Sequence, residues 1–298
     1  MSAPCIGLAL GSGGARGWCH IGVLRALDEL GVKPALVAGC SMGALVGVAW
    51  AADKLDALED WVRALTPAKF VGLMDIRLGS GGLVDAREIE NLLKTLGIPD
   101  RIEDLPRPFA AVATDMETGR ELWFQDGPTY AAVRGSAGIP GVMSPIRHQG
   151  HWLLDGGLTN PVPVSTARAL GSEITIAVNP DAKPHGRIWQ PKPATSAEAW
   201  AASKLPVEWQ KALNLNPEAK GAPGKPNYFD VLTAAIDVMT DQIRRSRLAG
   251  EPPHVLLNMA FTDLTILELH RGAEAIEMGY RITLAHAALI KEVCGGTS

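Results

Sequence analysis

The stretch ALVAGCSMGALVGVAWAA, from Ala35 to Ala52, carries no charge, and its reading decides the fold. Its 18 residues are enough for it to be weighed as a membrane span. The interior argues against a span. Gly39-Cys40-Ser41-Met42-Gly43 divides the stretch into a short β-type run and an Ala-rich helical run, the pattern of a buried strand, a sharp turn and a buried helix. Gly39-x-Ser41-x-Gly43 at such a junction has the form of a nucleophile elbow, in which a strained turn exposes the serine and small flanking residues let the chain bend. A helix starting after Ser41 aims its first N–H groups and the positive end of its dipole at any oxyanion formed there.

Upstream, Ile6 to Leu10 reads as a buried strand, and Ile21, Val23, Leu24, Leu27 and Leu30 fall at helical spacing before Gly31. Between them lies Gly11-Ser12-Gly13-Gly14-Ala15-Arg16-Gly17, a loop able to present consecutive backbone N–H groups to an anion. It is not a dinucleotide fingerprint: the third required glycine position holds Arg16, and the second strand, Leu36 to Ala38, runs into Gly39 with no acidic ribose ligand. A P-loop fails as well, because no Gly-Lys-Ser/Thr follows. An oxyanion hole asks only for permissive glycines whose N–H groups face one point.

Downstream, helices are expected through Trp61 to Leu65 and from Arg87 to Leu96. Phe109 to Thr114 and Glu121 to Phe124 form a hairpin, and Trp152 to Leu154 leads into Asp155-Gly156-Gly157. A helix from Pro163 to Leu170 precedes Ile174 to Val178, which is apolar and β-branched enough for a central parallel strand. From about Asp181 to Pro226 the composition shifts to Pro, Lys and Ala, with Trp189, Trp200 and Trp209 interspersed, as in an insertion. An amphipathic helix from Phe229 to Leu248, a short strand at Val255 to Leu257, and a closing helix from Leu267 to Val293 interrupted only by Gly272 and Gly279 complete the pattern. The βαβα rhythm predicts an α/β fold with a mostly parallel sheet.

Net charge is −4 over 298 residues, so no basic excess exists to hold a nucleic-acid backbone. Hydrophobic residues make up 47% of the chain, enough for a substantial core. Cys5, Cys19, Cys40 and Cys294 show no Cys-x-x-Cys spacing, and His20 beside Cys19 lacks a second ligand pair, so free thiols are expected and no metal. With no signal-peptide pattern at the start, a cytoplasmic setting is expected.

A nucleophilic serine needs a base. None of the seven histidines, His20, His148, His151, His185, His254, His270 and His286, stands in a convincing context, and Ser41 comes too early for a classical α/β-hydrolase order. Asp155, directly after an apolar strand and before two glycines that permit close backbone approach, is the alternative; a plain Asp turn is the competing reading.

The three motifs in this order resemble the patatin-like phospholipase family, most closely its bacterial-type members. Gly13, Gly14 and Arg16 correspond to its glycine loop, Ser41 to its elbow, and Asp155-Gly156-Gly157 to its Asp-Gly-Gly/Ala motif. The resemblance extends through Ala111 to Gly119, Ser136 to Ile146, Asp155 to Pro163 and Ser246 to Asn258, leaving 181–226 without a counterpart. Ser12 departs from the glycine of plant members, and Cys40 is expected to point away from Ser41.

The resemblance implies a three-layer α/β/α fold and a Ser41–Asp155 dyad without histidine. It also implies an oxyanion hole from Gly13, Gly14, Ala15 and Arg16, and support of elbow and acid by Gly39, Gly43, Gly156 and Gly157. An aspartate at its ordinary pKa of ~3.9 is a weak base for a hydroxyl, so proton transfer must accompany attack. The expected activity is lipid ester hydrolysis of phospholipase A or lysophospholipase type through an acyl-Ser41 intermediate, without cofactor. The rival from another class is a weakly active regulatory or scaffold protein on the same fold. One domain is expected over 1–298: a catalytic core at 5–180, an insertion or lid at 181–226, and a helical extension at 227–298 packed on the core. Indoles among lysines in the insertion suit transient contact with a membrane surface.

Overall fold

Alternation along three short strands builds two cores. Leu8 and Leu10, Val37, and Ile176 and Val178 point to one face of a sheet, while Ala9, Leu36 and Ala38, and Ala177 point to the other. The computed structural model describes residues 4–66, 87–140, 142–183, 207–212 and 228–295. In chain order the elements are β1 (Ile6–Leu10), α1 (Cys19–Glu29), β2 (Leu36–Cys40), α2 (Met42–Ala51), α3 (Leu55–Arg63) and α4 (Arg87–Leu96). Next come β3 (Phe109–Asp115), β4 (Glu121–Phe124), α5 (Thr129–Ser136), β5 (Ile146–His148), β6 (His151–Asp155), α6 (Val164–Ala169) and β7 (Ile174–Asn179). The last are α7 (Val207–Ala212), α8 (Tyr228–Gly250), β8 (Val255–Asn258), α9 (Gly272–Ala285) and α10 (Ala287–Gly295).

The sheet has eight strands in the order β5-β6-β3-β2-β1-β7-β8, with β4 also on β3. Pairings from β3 to β8 through β2, β1 and β7 are parallel; those of β3 with β4 and β6, and of β5 with β6, are antiparallel. Helices α1, α2, α3 and α9 cover the face of large aliphatic side chains, and α6 covers the alanine-lined face. This is a three-layer α/β/α arrangement, and strands buried on both faces explain why β1, β2 and β7 lack polar alternation. Each fully buried Leu, Ile or Val there contributes about 1.5–3 kcal/mol.

The uncharged stretch from Ala35 to Ala52 splits at Ser41 into β2 and α2, and no described helix is long and apolar enough to cross a membrane. The chain falls into two compact units, Met1–Ala182 with Ile243–Ser298, and Lys183–Gln242; the second boundary lies within α8. Within the 181–226 insertion only 181–183 and α7 are described, so Trp189 and Trp200 lie outside the described residues.

The expected closing helix from Leu267 to Val293 begins as an α-helix only at Gly272, after a 3-10 turn at Leu269–Arg271, and divides into two helices at His286 rather than at Gly279. The His286 ring bonds the Ile282 carbonyl at 2.8 Å, closing α9. Gly279 is interior to α9 because the α1 backbone lies against it: a Cβ there would sit 2.0 Å from the Cys19 carbonyl oxygen. On the facing side, a Cβ on Gly22 would sit 1.8 Å from the Ile276 carbonyl oxygen. Two glycines thus let α1 and α9 cross backbone to backbone. Gly22→Ala must push the helices apart, a cost of about 1–3 kcal/mol that lowers the melting temperature by several degrees. Gly250→Ala, where an added Cβ meets nothing within 4 Å, is expected to leave melting unchanged.

Candidate active site

Ser41 and Asp155 are separated by 114 positions, and β3 brings them together. Val112 pairs with Cys40 of β2 on one edge of β3 and with Trp123 of β4 on the other. The next residue, Ala113, pairs with Leu122 of β4 and with Asp155 of β6. Because β4 pairs with both Val112 and Ala113 from one edge, β2 and β6 share the other, running toward each other and ending at neighbouring positions. The last residue of β2 precedes Ser41; the last residue of β6 is Asp155.

At the end of β2 the chain turns sharply. Ser41 has φ 55° and ψ −120°, a conformation rare outside glycine, and α2 starts at the next residue. The turn is tight: a Cβ on Gly39 would lie 2.4 Å from the Gly43 carbonyl oxygen, and one on Gly43 would lie 2.1 Å from that of Leu10. The Ser41 N–H donates to Ser136 Oγ at 2.8 Å, and the Ser41 carbonyl accepts from the Ala44 and Leu45 N–H groups. Ser136, at the end of α5, therefore anchors the strained residue.

Ser41 Oγ donates to Asp155 Oδ2 at 2.6 Å, and the Gly157 N–H donates to Oδ1 at 2.8 Å. The Asp155 carbonyl accepts from Thr114 Oγ1, and its N–H donates to the Gly138 carbonyl. Both side chains are buried, Ser41 at 3% and Asp155 at 6% exposure. Loss of water around the carboxylate raises its pKa to about 6 against the opposing bonds from Ser41 and Gly157. The ordinary carboxylate pKa expected from sequence is thus replaced by one nearer neutrality. Among the described residues no histidine bonds either group. His148 makes a tilted ring contact with Phe124, and His151 faces Asp115 at 3.3 Å. Gly156 and Gly157 admit the neighbouring chain: a Cβ on Gly156 would meet the Val112 carbonyl oxygen at 2.1 Å, and one on Gly157 the Ser12 hydroxyl at 3.0 Å.

The glycine loop lies beside the elbow, since a Cβ on Gly17 would meet Met42 at 2.5 Å. Its backbone N–H groups divide sharply. Gly11 donates to the Val178 carbonyl and Ser12 to that of Pro161; beyond the middle, Ala15 donates to the Ile266 carbonyl and Arg16 to that of Gly13. Between these fixed flanks, the N–H groups of Gly13 and Gly14 have no hydrogen-bond partner among the described residues. The N–H groups of Ala15 and Arg16, expected as oxyanion donors with Gly13 and Gly14, are each bonded to a carbonyl oxygen in this structure. The Arg16 side chain is also committed, with Nε on the Leu264 carbonyl at 2.8 Å and the guanidinium paired with Asp181.

Two buried neighbours were not assigned a role by sequence. His20 Nε2 donates to the Gly11 carbonyl at 2.8 Å, and burial lowers its pKa to about 4, so it holds the loop as a neutral ring. Cys40, expected to point away from Ser41, is buried with its thiol bonded to the Ser12 side chain and lies beside Gly156. Burial and the Asp155 charge push that thiol up, keeping it protonated. Ser136 lies in a short helix with little periodicity, and its one signal is the Ser136-to-Ile146 segment.

Residues 8–168 match the family model described as Patatin-like phospholipase. Across a 324-residue alignment covering 93% of this chain and 90% of the other, the sequence is 34% identical to an NTE family protein of Mycobacterium tuberculosis. It is 33% identical over 186 residues to neuropathy target esterase sws of Drosophila melanogaster, a match to 60% of this chain and 13% of that protein. VipD from Legionella pneumophila superposes with a TM-score of 0.46 at 15% identity, covering 97% of this chain and 67% of that one. With its family model spanning more than half its length and a relative aligned nearly end to end, the chain belongs to the patatin-like phospholipase family.

Proposed function

We propose that this chain is a serine lipid acyl hydrolase of phospholipase A or lysophospholipase type. The observation that carries the reading is the 2.6 Å hydrogen bond from Ser41 Oγ to a buried carboxylate with no histidine between them. Ser41 Oγ attacks the ester carbonyl as Asp155 takes its proton, and the tetrahedral oxyanion accepts from the Gly13 and Gly14 N–H groups. Collapse expels the alcohol, which takes the proton from Asp155 and leaves acyl-Ser41. Water activated by Asp155 then releases the fatty acid and restores the serine. The N-terminus of α2 supports the same negative charge. A base with pKa near 6 is well matched to neutral pH, so the raised value of Asp155 compensates in part for the missing imidazole. Free thiols and a lipid substrate are consistent with a cytoplasmic protein that meets membrane surfaces transiently.

A fluorophosphonate is expected to label Ser41, and Ser41→Ala and Asp155→Asn each to reduce hydrolysis of a short-chain p-nitrophenyl ester by at least ~10³-fold. Failure to label the folded protein would favour the scaffold alternative.

The ionised form of Asp155 is the base, so kcat/KM should rise tenfold per pH unit below about 6 and level above it. For stability the sign is opposite. A carboxyl whose folded pKa is raised favours folding while protonated and loses that contribution as pH rises from 3.8 through about 6. Asp155→Asn should therefore melt no lower than wild type at pH 7, a result that separates lost chemistry from lost structure.

Ser136→Ala leaves the Ser41 N–H buried without its acceptor. A loss of about 1–3 kcal/mol in stability is expected, together with a fall in kcat of ~10-fold as the elbow relaxes, measured by melting and steady-state kinetics.

A further inference from the structure

Arg16 stands two residues beyond the Gly14 donor, and its side chain joins three parts of the first compact unit. Nε donates to the Leu264 carbonyl at 2.8 Å, beyond β8, while the guanidinium pairs with Asp181, beyond β7. Asp181 also faces Arg244 at 3.5 Å across its second oxygen. The Asp181 and Arg16 side chains are each only 12% exposed and that of Arg244 5%, so water does little to screen these charges. The neighbouring residue is engaged too: Pro180 packs where a Cβ on Gly13 would stand, at 2.8 Å. Asn179 fixes the turn by accepting the Asp181 N–H through Oδ1 while its Nδ2 donates to Asn258. The chain leaves the first unit after Ala182 and re-enters it at Ile243, so Asp181 and Arg244 stand beside the two crossings.

We propose that Asp181 is a positioning residue for the Gly13–Gly14 donor pair. Through Arg16 it fixes the C-terminal flank of the loop, and through Arg244 it ties that flank to the C-terminal half of α8. Arg16 is then a strut of the oxyanion hole, its charge spent on Asp181 rather than on a substrate phosphate. The inference rests on the hydrolase reading given above. Its physical basis is the sensitivity of oxyanion donors to aim: the Ala15 and Arg16 N–H groups are anchored only while the segment stays in register, and a tilt there turns the Gly14 N–H away from the developing charge.

The test uses the full chain and a short-chain p-nitrophenyl ester, with a trifluoromethyl ketone that forms an anionic hemiketal on Ser41 as reporter of the hole. Asp181→Asn is expected to lower kcat by ~10- to 100-fold with KM within about twofold, and to weaken the ketone by the factor lost in kcat/KM. Arg16→Gln should match it, the double variant should be no worse than Arg16→Gln alone, and Asp181→Glu should recover part of the loss. A merely structural role would lower melting without matching losses in kcat and ketone affinity. An unchanged kcat in Asp181→Asn, an unchanged ketone affinity beside a lowered kcat, or multiplying effects in the double variant would overturn the proposal. If Asp181→Asn does not fold, Arg16→Lys keeps the charge but gives up the bond to Leu264. A fall in its kcat at constant KM then supports the proposal, and a wild-type kcat overturns it. Wild type inert toward both ester and ketone would remove the hydrolase reading and this inference with it; active wild type with an equally active Asp181→Asn removes only the role of Asp181.

Discussion

Strand β3 has two edges, and the sharing of one of them between β2 and β6 is the constraint on which the site depends. A parallel neighbour and an antiparallel neighbour on the same edge must run head to head, and their last residues occupy successive rungs at Val112 and Ala113. No loop of adjustable length lies between Cys40 and Asp155 in this arrangement; the hydrogen-bond register of the sheet sets the spacing. The glycines at 39, 43 and 156 follow from that packing, because backbones approach within the radius of a side chain at each. The strained turn at Ser41 is held by the same framework, between the last rung of β2 and the first turn of α2.

Burial then does chemical work that composition hides. A carboxylate in water is a poor partner for a hydroxyl, whereas Asp155, reached among the described residues by the Ser41 and Gly157 donors and by little solvent, is raised toward neutrality. The same exclusion of water acts on the neighbours in opposite senses. It keeps His20 neutral, so that the ring serves as a fixed donor, and keeps the Cys40 thiol next to Ser41 protonated. Burial thus moves Asp155 and Cys40 upward and His20 downward, in each case toward the uncharged form.

Much of this was legible in the sequence where periodicity or close packing speaks locally. The strands β1, β2, β7 and β8, the β3–β4 hairpin and the split of the uncharged stretch at Ser41 all carry their own apolar patterns. The contacts made by Ser136, His20 and Asp181 do not, because each acts on a backbone or charge brought near by tertiary structure. His20 looks like any core residue of α1 until Gly11 is seen beneath it. The division of the loop between Gly13 and Gly14 and their neighbours required knowing where the Ile266 and Gly13 carbonyls lie. Glycines in α9 suggested breaks for the same reason: in sequence a helix breaker and a helix crossing are written with the same letter.

The bonds around the glycine loop also mark how far the working unit extends. Val178, Asp181, Leu264 and Ile266 all stand beyond residue 168, where the match to the family model stops. A fragment excised at that border would carry the glycine loop, the Gly-x-Ser-x-Gly turn and the Asp-Gly-Gly motif yet lack the carbonyls and carboxylate that hold the loop, along with β7, the second neighbour of β1. The span matched by the family model and the span whose bonds hold the loop are therefore different lengths of chain. An expression fragment drawn to the first would keep Ser41 and Asp155 in its sequence without the bonds that hold the glycine loop beside them.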